Sequence, residues 1–262
     1  MMRSIVLLLL FFCANETIAL TMGDAINTAG RQRMLSQRIT QSFILTGIQP
    51  ENQRYQKQLR KCVSEFQSNL DALASMPEGA SLTQDLLTVR QLWADFKPVA
   101  LGPVSKVAAA DLYKQSSPLL TAAHAYVGKL EKLANTSSAE LINVSGRQRM
   151  LSQRIAKNYL AYYWQLDNNS LKHLYSDLAE YELMLSYLKE SDLNTEDIMR
   201  KIMKTEGHLR YAAKGFDGDM TLKGDRLIFV ITGTTDIMLR NMDEITRMYA
   251  TLLDTQNQIV SR

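Results

Sequence analysis

A fourteen-residue stretch that occurs twice decides the fold of this chain. Residues 26–39 read INTAGRQRMLSQRI and residues 142–155 read INVSGRQRMLSQRI, so twelve of the fourteen positions are identical and the last ten match without a break. Identity of this length, 116 residues apart, does not arise by chance and indicates an internal duplication. The sequence therefore predicts two tandem copies of one unit, residues 20–135 and residues 136–262.

Each copy of the motif is expected to form a helix that packs on two faces. On a helical wheel with Arg31 at zero, Leu35, Ile39 and Phe43 fall at about 40°, 80° and 120° and form the stripe that faces a bundle. Arg33 falls on the opposite side, at about 200°. Its companions there are small, apolar or amide residues, which is not the composition of a solvated face. They are Ile26, Gly30, Gln37 and Ile44 in the first copy, and Ile142, Gly146, Gln153, Ala156 and Leu160 around Arg149 in the second.

This outer face is predicted to pack against another helix and to bind an anion. Gly30 and Gly146 let a second helix come close, and Arg33 and Arg149 each offer a planar fork of donors. If the two motif helices face each other, two guanidinium groups about 4 Å apart repel by about 1 kcal/mol in water and by about 4 kcal/mol at an effective dielectric constant of about 20. An anion between them relieves this repulsion, so ligand binding would be coupled to helix association.

Apolar periodicity predicts four helices in each copy of the unit, and strand alternation is absent from the sequence. The predicted fold class is therefore all-α, with two tandem antiparallel four-helix bundles. A break or kink is expected at Pro118, where Ser117 would cap a new helix. The predicted helices cover residues 22–48, 51–76, 81–100 and 104–134, followed by 138–167, 170–190, 194–214 and 222–258.

Composition excludes several classes of protein. With 262 residues, 46% of them hydrophobic, the chain can bury a sizeable core, and its net charge of +3 is too small for general binding to nucleic acid or anionic membranes. The three histidines, His124, His173 and His208, have no second ligand at metal spacing, so surface or packing roles are expected. No catalytic set or phosphate loop is present. We expect a protein that is not an enzyme and that needs no metal or cofactor.

Residues 1–19 have the pattern of a secretory signal peptide. Arg3 precedes an apolar run over residues 5–13, and small residues lie before the expected cleavage site near Ala19. The run is too short to cross a hydrocarbon core, which takes about 20 residues. Cys13 lies in this leader and leaves Cys62 alone, so no disulfide is expected. The mature protein is predicted to be periplasmic.

The motif resembles a known signature, Ile-Asn-x-x-Gly-x-x-Arg-Met-x-Ser-x-Arg. It is similar to the sensory domain at the N-terminus of type IV pili chemotaxis transducers (PilJ-type) and of NarX-type nitrate sensor kinases. Residues 66–73 and 92–96 are also similar to the second and third helices of that family. The residues that carry the signature are Ile26, Asn27, Gly30, Arg33, Met34, Ser36 and Arg38, and again Ile142, Asn143, Gly146, Arg149, Met150, Ser152 and Arg154.

This resemblance implies a four-helix periplasmic domain and a ligand. In the nitrate sensors, the arginine before the methionine comes from two facing first helices and binds one nitrate at the dimer interface. That arginine corresponds to Arg33 and Arg149. The relatives continue into transmembrane helices and a signalling module, neither of which is expected from this sequence, so a membrane-bound sensor or chemoreceptor is the expected partner for signal output.

Two functions remain open from the sequence. The favoured one is a binding protein for a small oxyanion, nitrate or nitrite first. The alternative is a helical periplasmic adaptor that uses the outer motif face to pair with a related membrane receptor and binds no small ligand. The predicted ligand-binding residues are the donors Arg33 and Arg149, the close-approach residues Gly30 and Gly146, and the supporting residues Asn27, Arg38, Asn143 and Arg154.

Two arrangements of the copies also remain open. If the chain turns at residues 135–138, the second motif helix runs parallel to the first and a pseudo-dimer forms within one chain. Ser137 with Glu140 fits a capping box, which supports a new helix start there. If one helix instead runs straight through, the bundles stack end to end, and each motif must pair with its equivalent in a second chain to give a homodimer.

Overall fold

The computed structural model describes residues 20–76, 81–218 and 220–260, with side chains as far as Thr255. This part of the chain forms eight α-helices and contains no β-strand, which confirms the predicted all-α class. The expected leader, with Cys13 and the cleavage site, lies outside the described residues. The helices are α1 (Met22–Ile48), α2 (Gln53–Ala74), α3 (Thr83–Leu101), α4 (Lys106–Ala134), α5 (Ser137–Tyr163), α6 (Ser170–Lys189), α7 (Glu196–Phe216) and α8 (Asp225–Val260).

The chain turns between α4 and α5. Asn135 adopts the left-handed conformation, with φ of 48°, and ends α4. Thr136 then caps α5, because its side chain accepts a hydrogen bond from a backbone N–H of the first turn. The predicted capping box is wrong: Ser137 is already the first helical residue, and the Glu140 carboxylate accepts a hydrogen bond from the Tyr187 hydroxyl instead.

Pro118 does not interrupt α4, so the expected break is wrong. The helix begins at Lys106, twelve residues earlier, after the cap Ser105, whose side chain accepts a hydrogen bond from the N–H of Ala108. Pro118 lies on the exposed side of the helix, whereas Ser116 and Leu119 beside it are fully buried. Packing of the buried side therefore keeps the helix continuous, although proline removes one hydrogen-bond donor.

The eight helices form two rings of four that meet along α1 and α5. In one ring, α1 and α3 each pack on both α2 and α4; in the other, α5 and α7 each pack on both α6 and α8. The two motif helices pack on each other more extensively than any other pair of described helices. They run parallel and in register, since Asn27 contacts Arg149 near one end and Gly47 lies against Trp164 at the other. The two rings therefore lie side by side, and the end-to-end arrangement is not the one formed.

Both faces of each motif helix are buried, as the helical wheel predicts. Leu35, Ile39 and Phe43 are 0% exposed on the bundle-facing stripe, and Arg33 and Gln37 are equally buried on the opposite face. The α1–α5 seam is thus a second core that contains many polar groups. None of the described helices combines the length and the apolar character that crossing a membrane requires.

Candidate anion site between the motif helices

The repeated arginines lie face to face between α1 and α5. The side chains of Arg33 and Arg149 are 0% exposed. Their Nη2 atoms lie 3.3 and 3.1 Å from the point where a Cβ on Gly30 would be, and 3.0 and 3.2 Å from the corresponding point on Gly146. The two glycines therefore provide the space that the guanidinium groups occupy, and four of the predicted site residues meet at one place.

Each arginine is held by the asparagine of the opposite motif. Arg33 donates from Nη1 to Asn143 Oδ1 at 2.7 Å and from Nη2 to the Asn143 carbonyl at 3.1 Å. Arg149 makes the same two hydrogen bonds to Asn27, at 2.7 and 3.1 Å. This reciprocal geometry gives the site a pseudo-two-fold axis and accounts for the asparagine and the arginine in both copies of the motif.

The symmetry ends at the next neighbour of each arginine. Arg149 Nη1 donates to Asp243 Oδ1 on α8 at 2.7 Å. Arg33 Nη1 meets His124 Nδ1 on α4 at 3.1 Å instead. One arginine is therefore neutralised directly by a carboxylate, whereas the other faces an imidazole.

A second pair of motif arginines repeats this difference. Arg31 and Arg147 each form an ion pair with a glutamate of the following helix. Arg31 also donates to Asp243 at 2.8 Å, but Arg147 Nη1 lies 3.4 Å from His124 Nε2. Because a neutral imidazole accepts at one nitrogen only, His124 cannot accept from both Arg33 and Arg147.

Burial and neighbouring cations lower the pKa values in this region. Burial, reinforced by the charges of Arg149 and Arg147, lowers the pKa of Arg33 to about 9. Burial also lowers the pKa of Arg149 to about 10, although Asp243 opposes that shift. The pKa of His124 falls to about 4, through burial and the charges of Arg33 and Arg147. His124 is therefore neutral at pH 7 and does not compensate the charge of Arg33.

Two buried donors of this site have no acceptor. The Nε–H groups of Arg33 and Arg149 have no hydrogen-bond partner within the part of the chain that the structure describes. A buried donor left unpaired costs about 1–3 kcal/mol, and more when it carries charge. Arg33 also lacks any ion pair to a described carboxylate. The arrangement thus has the positive charge and the free donors that a small anion would satisfy.

The two remaining predicted residues lie apart from the arginine pair. Arg38 joins the two rings, because its Nη1 donates to Asp236 on α8 at 2.7 Å and to Gln153 on α5 at 2.8 Å. Its equivalent, Arg154, stays within its own ring and donates to Asp177 on α6 at 2.9 Å. Both arginines fix the positions of helices, and only Arg38 spans the seam.

Sequence reasoning missed the two residues that make the site asymmetric, His124 and Asp243. Only the contacts show that the two residues hold equivalent places. Gln37 donates to the Ser116 carbonyl, and Gln153, its equivalent in the second motif, donates to the Thr235 carbonyl. These carbonyls precede His124 and Asp243 by eight residues each. Because α4 and α8 share no sequence motif, nothing in the sequence pointed to either residue.

Comparison with known proteins identifies the family. Residues 17–118 and 134–206 match the N-terminal region of type IV pili methyl-accepting chemotaxis transducers, PilJ. These two segments cover more than half of the chain, and each contains one copy of the motif. No curated protein and no solved structure matches significantly. The chain belongs to the PilJ family of chemotaxis-transducer N-terminal domains.

Proposed function

We propose that this protein is a periplasmic sensory protein that binds one small oxyanion, nitrate or nitrite first, between α1 and α5. The PilJ family supplies the class, since its members are non-catalytic sensory domains of chemotaxis transducers. The observation that carries the ligand is the buried pair Arg33 and Arg149, each with an Nε–H that has no acceptor.

Charge and shape both favour a small planar monoanion. Two guanidinium groups face each other in a buried seam, and only Arg149 has a carboxylate in direct contact, so one added negative charge is favourable. The guanidinium fork matches the planar oxygens of nitrate or nitrite better than a spherical halide. Both side chains are 0% exposed between the packed helices, so we expect a small ligand without a large substituent.

Enclosure also gives a physical basis for sensing. Because the arginines are sealed between α1 and α5, an anion reaches them only when the two helices move apart, and it then favours their close packing. Binding energy is therefore coupled to the relative position of the two rings, which is what a signal-transducing domain requires.

The two rings, residues 20–135 and 136–262, are on this proposal duplicated copies of one PilJ-type unit. Each carries the motif on its first helix, and the two first helices pack together as two subunits would. A duplication of this kind places in one chain the two arginines that relatives of the nitrate-sensor type bring from two chains.

Residues 1–19 would direct export, and a membrane-bound chemoreceptor or sensor would receive the signal. The adaptor alternative, in which the outer motif face pairs with such a receptor directly, has less support. That face is buried within the chain, where Arg33 and Arg149 contact the opposite motif. The receptor would have to bind another surface.

Calorimetric titration of the mature protein with nitrate tests the proposal. We expect saturable binding that Arg33→Met and Arg149→Met each weaken at least about tenfold, since each removes one charged fork. Methionine replaces the buried charge by an apolar side chain of similar length, so the variants are expected to fold. Arg60→Met, an exposed arginine of α2, is the matched control and should bind as the parent does.

Two results would contradict the proposal: no heat of binding at millimolar nitrate, or an affinity that neither seam substitution changes. Nitrite and chloride provide a further comparison. Nitrite should compete with nitrate, whereas chloride, which is spherical, should compete weakly.

A further inference from the structure

An open cavity of about 580 Å³ lies between α1, α2, α7 and α8. Neither arginine of the candidate anion site lines it. Its wall includes Gln41 of α1, Arg54 of α2, Tyr211 of α7 and Phe229 of α8. The volume is within the range of about 300–1,000 Å³ that is typical of small-molecule sites.

The equivalent region, between α5 and α4, is filled by side chains. Lys157 on α5 is the equivalent of Gln41 on α1, because each lies two residues after its copy of the motif. Tyr113 and Thr232 are likewise equivalent, because each lies three residues before one of the equivalent residues Ser116 and Thr235. Lys157 Nζ donates to Ser116 Oγ at 3.0 Å and lies 4.5 Å from the centroid of the Tyr113 ring. Thr232 is smaller than Tyr113, and beside α1 it leaves open the space that Tyr113 fills beside α5.

One buried polar group at this cavity lacks a partner. Gln41 is 1% exposed, and its Oε1 accepts no hydrogen bond from any described residue. A buried amide oxygen without a donor is unfavourable by about 1–3 kcal/mol. A ligand hydroxyl would supply that donor.

The charge at the cavity is positive. Arg38 and Asp236 line it but neutralise each other, at 2.7 and 3.2 Å. Arg54 and Arg240 also line it, and neither forms an ion pair with a described residue. Two free guanidinium groups at one cavity favour a ligand that carries a carboxylate.

Exposed aromatic rings form the apolar part of the wall. Phe229 is 65% exposed and Tyr211 is 48% exposed. Leu45, Val230 and Ile237 add aliphatic surface. Large apolar side chains exposed beside convergent polar groups are typical of a ligand site.

We propose that this cavity is a second binding site, for a small organic acid with one carboxylate and an aromatic or apolar body. The carboxylate binds Arg54 and Arg240 together, the body packs on Phe229 and Tyr211, and a hydroxyl of the ligand donates to Gln41. This site is independent of the oxyanion site, which is enclosed and takes no organic body.

Titration with 4-hydroxybenzoate tests the second site, because this probe has one carboxylate, one ring and one hydroxyl. We expect saturable binding, and about tenfold weaker binding of its neutral methyl ester. Thr232→Tyr, which copies the residue that fills the other half, should weaken binding at least about tenfold, and Arg54→Gln should do the same. Arg60→Gln, on the same helix but outside the cavity, should bind as the parent does.

The proposal is overturned if 4-hydroxybenzoate fails to bind at about 10 mM, or if Thr232→Tyr and Arg54→Gln leave its affinity unchanged. Thermal unfolding shows whether Thr232→Tyr folds; if it does not, Arg54→Gln and Arg240→Gln decide the question. Nitrate titration of the same variants separates the two sites, since substitutions at the cavity should not change nitrate affinity.

Discussion

At the scale of single residues, the group beside each seam arginine sets the charge of the site. Asp243 neutralises Arg149, whereas His124 beside Arg33 has a pKa of about 4 and carries no charge at pH 7. Arg33 is therefore the less compensated of the two, because Glu131, the carboxylate that acts on it, is hydrogen-bonded to Asn143 and not to Arg33 itself. A histidine in the position of a carboxylate keeps the site attractive to an anion.

Replacing His124 by aspartate should remove that attraction. The new carboxylate would pair with Arg33 and Arg147 as Asp243 pairs with Arg149 and Arg31, so nitrate would lose its electrostatic advantage. We expect His124→Asp to weaken nitrate binding at least about tenfold and to raise the thermal unfolding temperature without ligand. His208→Asp on α7 is the control. Unchanged nitrate affinity in His124→Asp would argue that the charge at Arg33 is not used.

Lys157 should make the stability of the protein depend on pH. Burial, helped by the charge of Arg154 and opposed by Asp177, lowers its pKa from 10.5 to about 7 in the folded protein. Between these values the unfolded chain binds a proton that the folded chain does not. Stability therefore rises with pH there, by about 1.4 kcal/mol for each pH unit from this residue alone. The unfavourable burial of the charge is fully present below pH 7.

Lys157→Met tests this linkage. The variant should be more stable than the parent at pH 6, and its advantage should shrink steadily as the pH rises from 7 to 9.5. Ser116 Oγ, which loses a donor, still donates to the Tyr113 carbonyl at 2.6 Å. Urea unfolding at several pH values measures the difference, with Lys172→Met on exposed α6 surface as the control. A difference that does not vary with pH would show that the folded and unfolded chains hold the Lys157 proton equally over this range, so that burial does not lower its pKa.

At the scale of the helices, periodicity predicted the elements well and their ends less well. The first motif helix was expected over residues 22–48, the bounds that α1 has. The second was expected to reach residue 167 but ends at Tyr163, because Gln165 turns to a positive φ of 55°. The stripe of apolar residues continues past that point and gives no sign of the turn. The break expected at Pro118 was wrong for a related reason: the sequence of α4 alone does not show that the neighbours of Pro118 are buried against other helices.

The end of α5 packs against the end of α1 at a glycine. A Cβ on Gly47 would lie 2.2 Å from Cη2 of Trp164, so the indole occupies the space that a side chain would need. Gly47→Ala should therefore displace the ring and destabilise the protein by about 1–3 kcal/mol. Gly128→Ala in α4, where no atom lies within 4 Å of the new Cβ, should instead stabilise it by about 0.5–1 kcal/mol. Urea unfolding of both variants measures the contrast, and equal effects would contradict the close contact.

At the scale of the whole molecule, the turn at residues 135–136 decides whether the motif helices meet. The sequence left two arrangements open because both satisfy the same helical patterns. The left-handed Asn135 and the cap Thr136 separate α4 from α5, and the second ring then folds back beside the first. The repeat predicted which residues would face each other, and only the tertiary structure shows that they do so within one chain.

A seam formed within one chain predicts one oxyanion per monomer, with an affinity that does not depend on protein concentration. Two separate chains would have to associate before their arginines could meet, so their apparent affinity would rise with concentration. We expect the same nitrate affinity at about 1 μM and about 100 μM protein, a stoichiometry of one, and a monomer in sedimentation experiments with and without nitrate. Arg33→Met and Arg149→Met chains mixed together should not recover binding, because each chain lacks one half of its own site. Recovery in that mixture, or nitrate-dependent dimerisation, would place the arginine pair between chains and overturn the assignment.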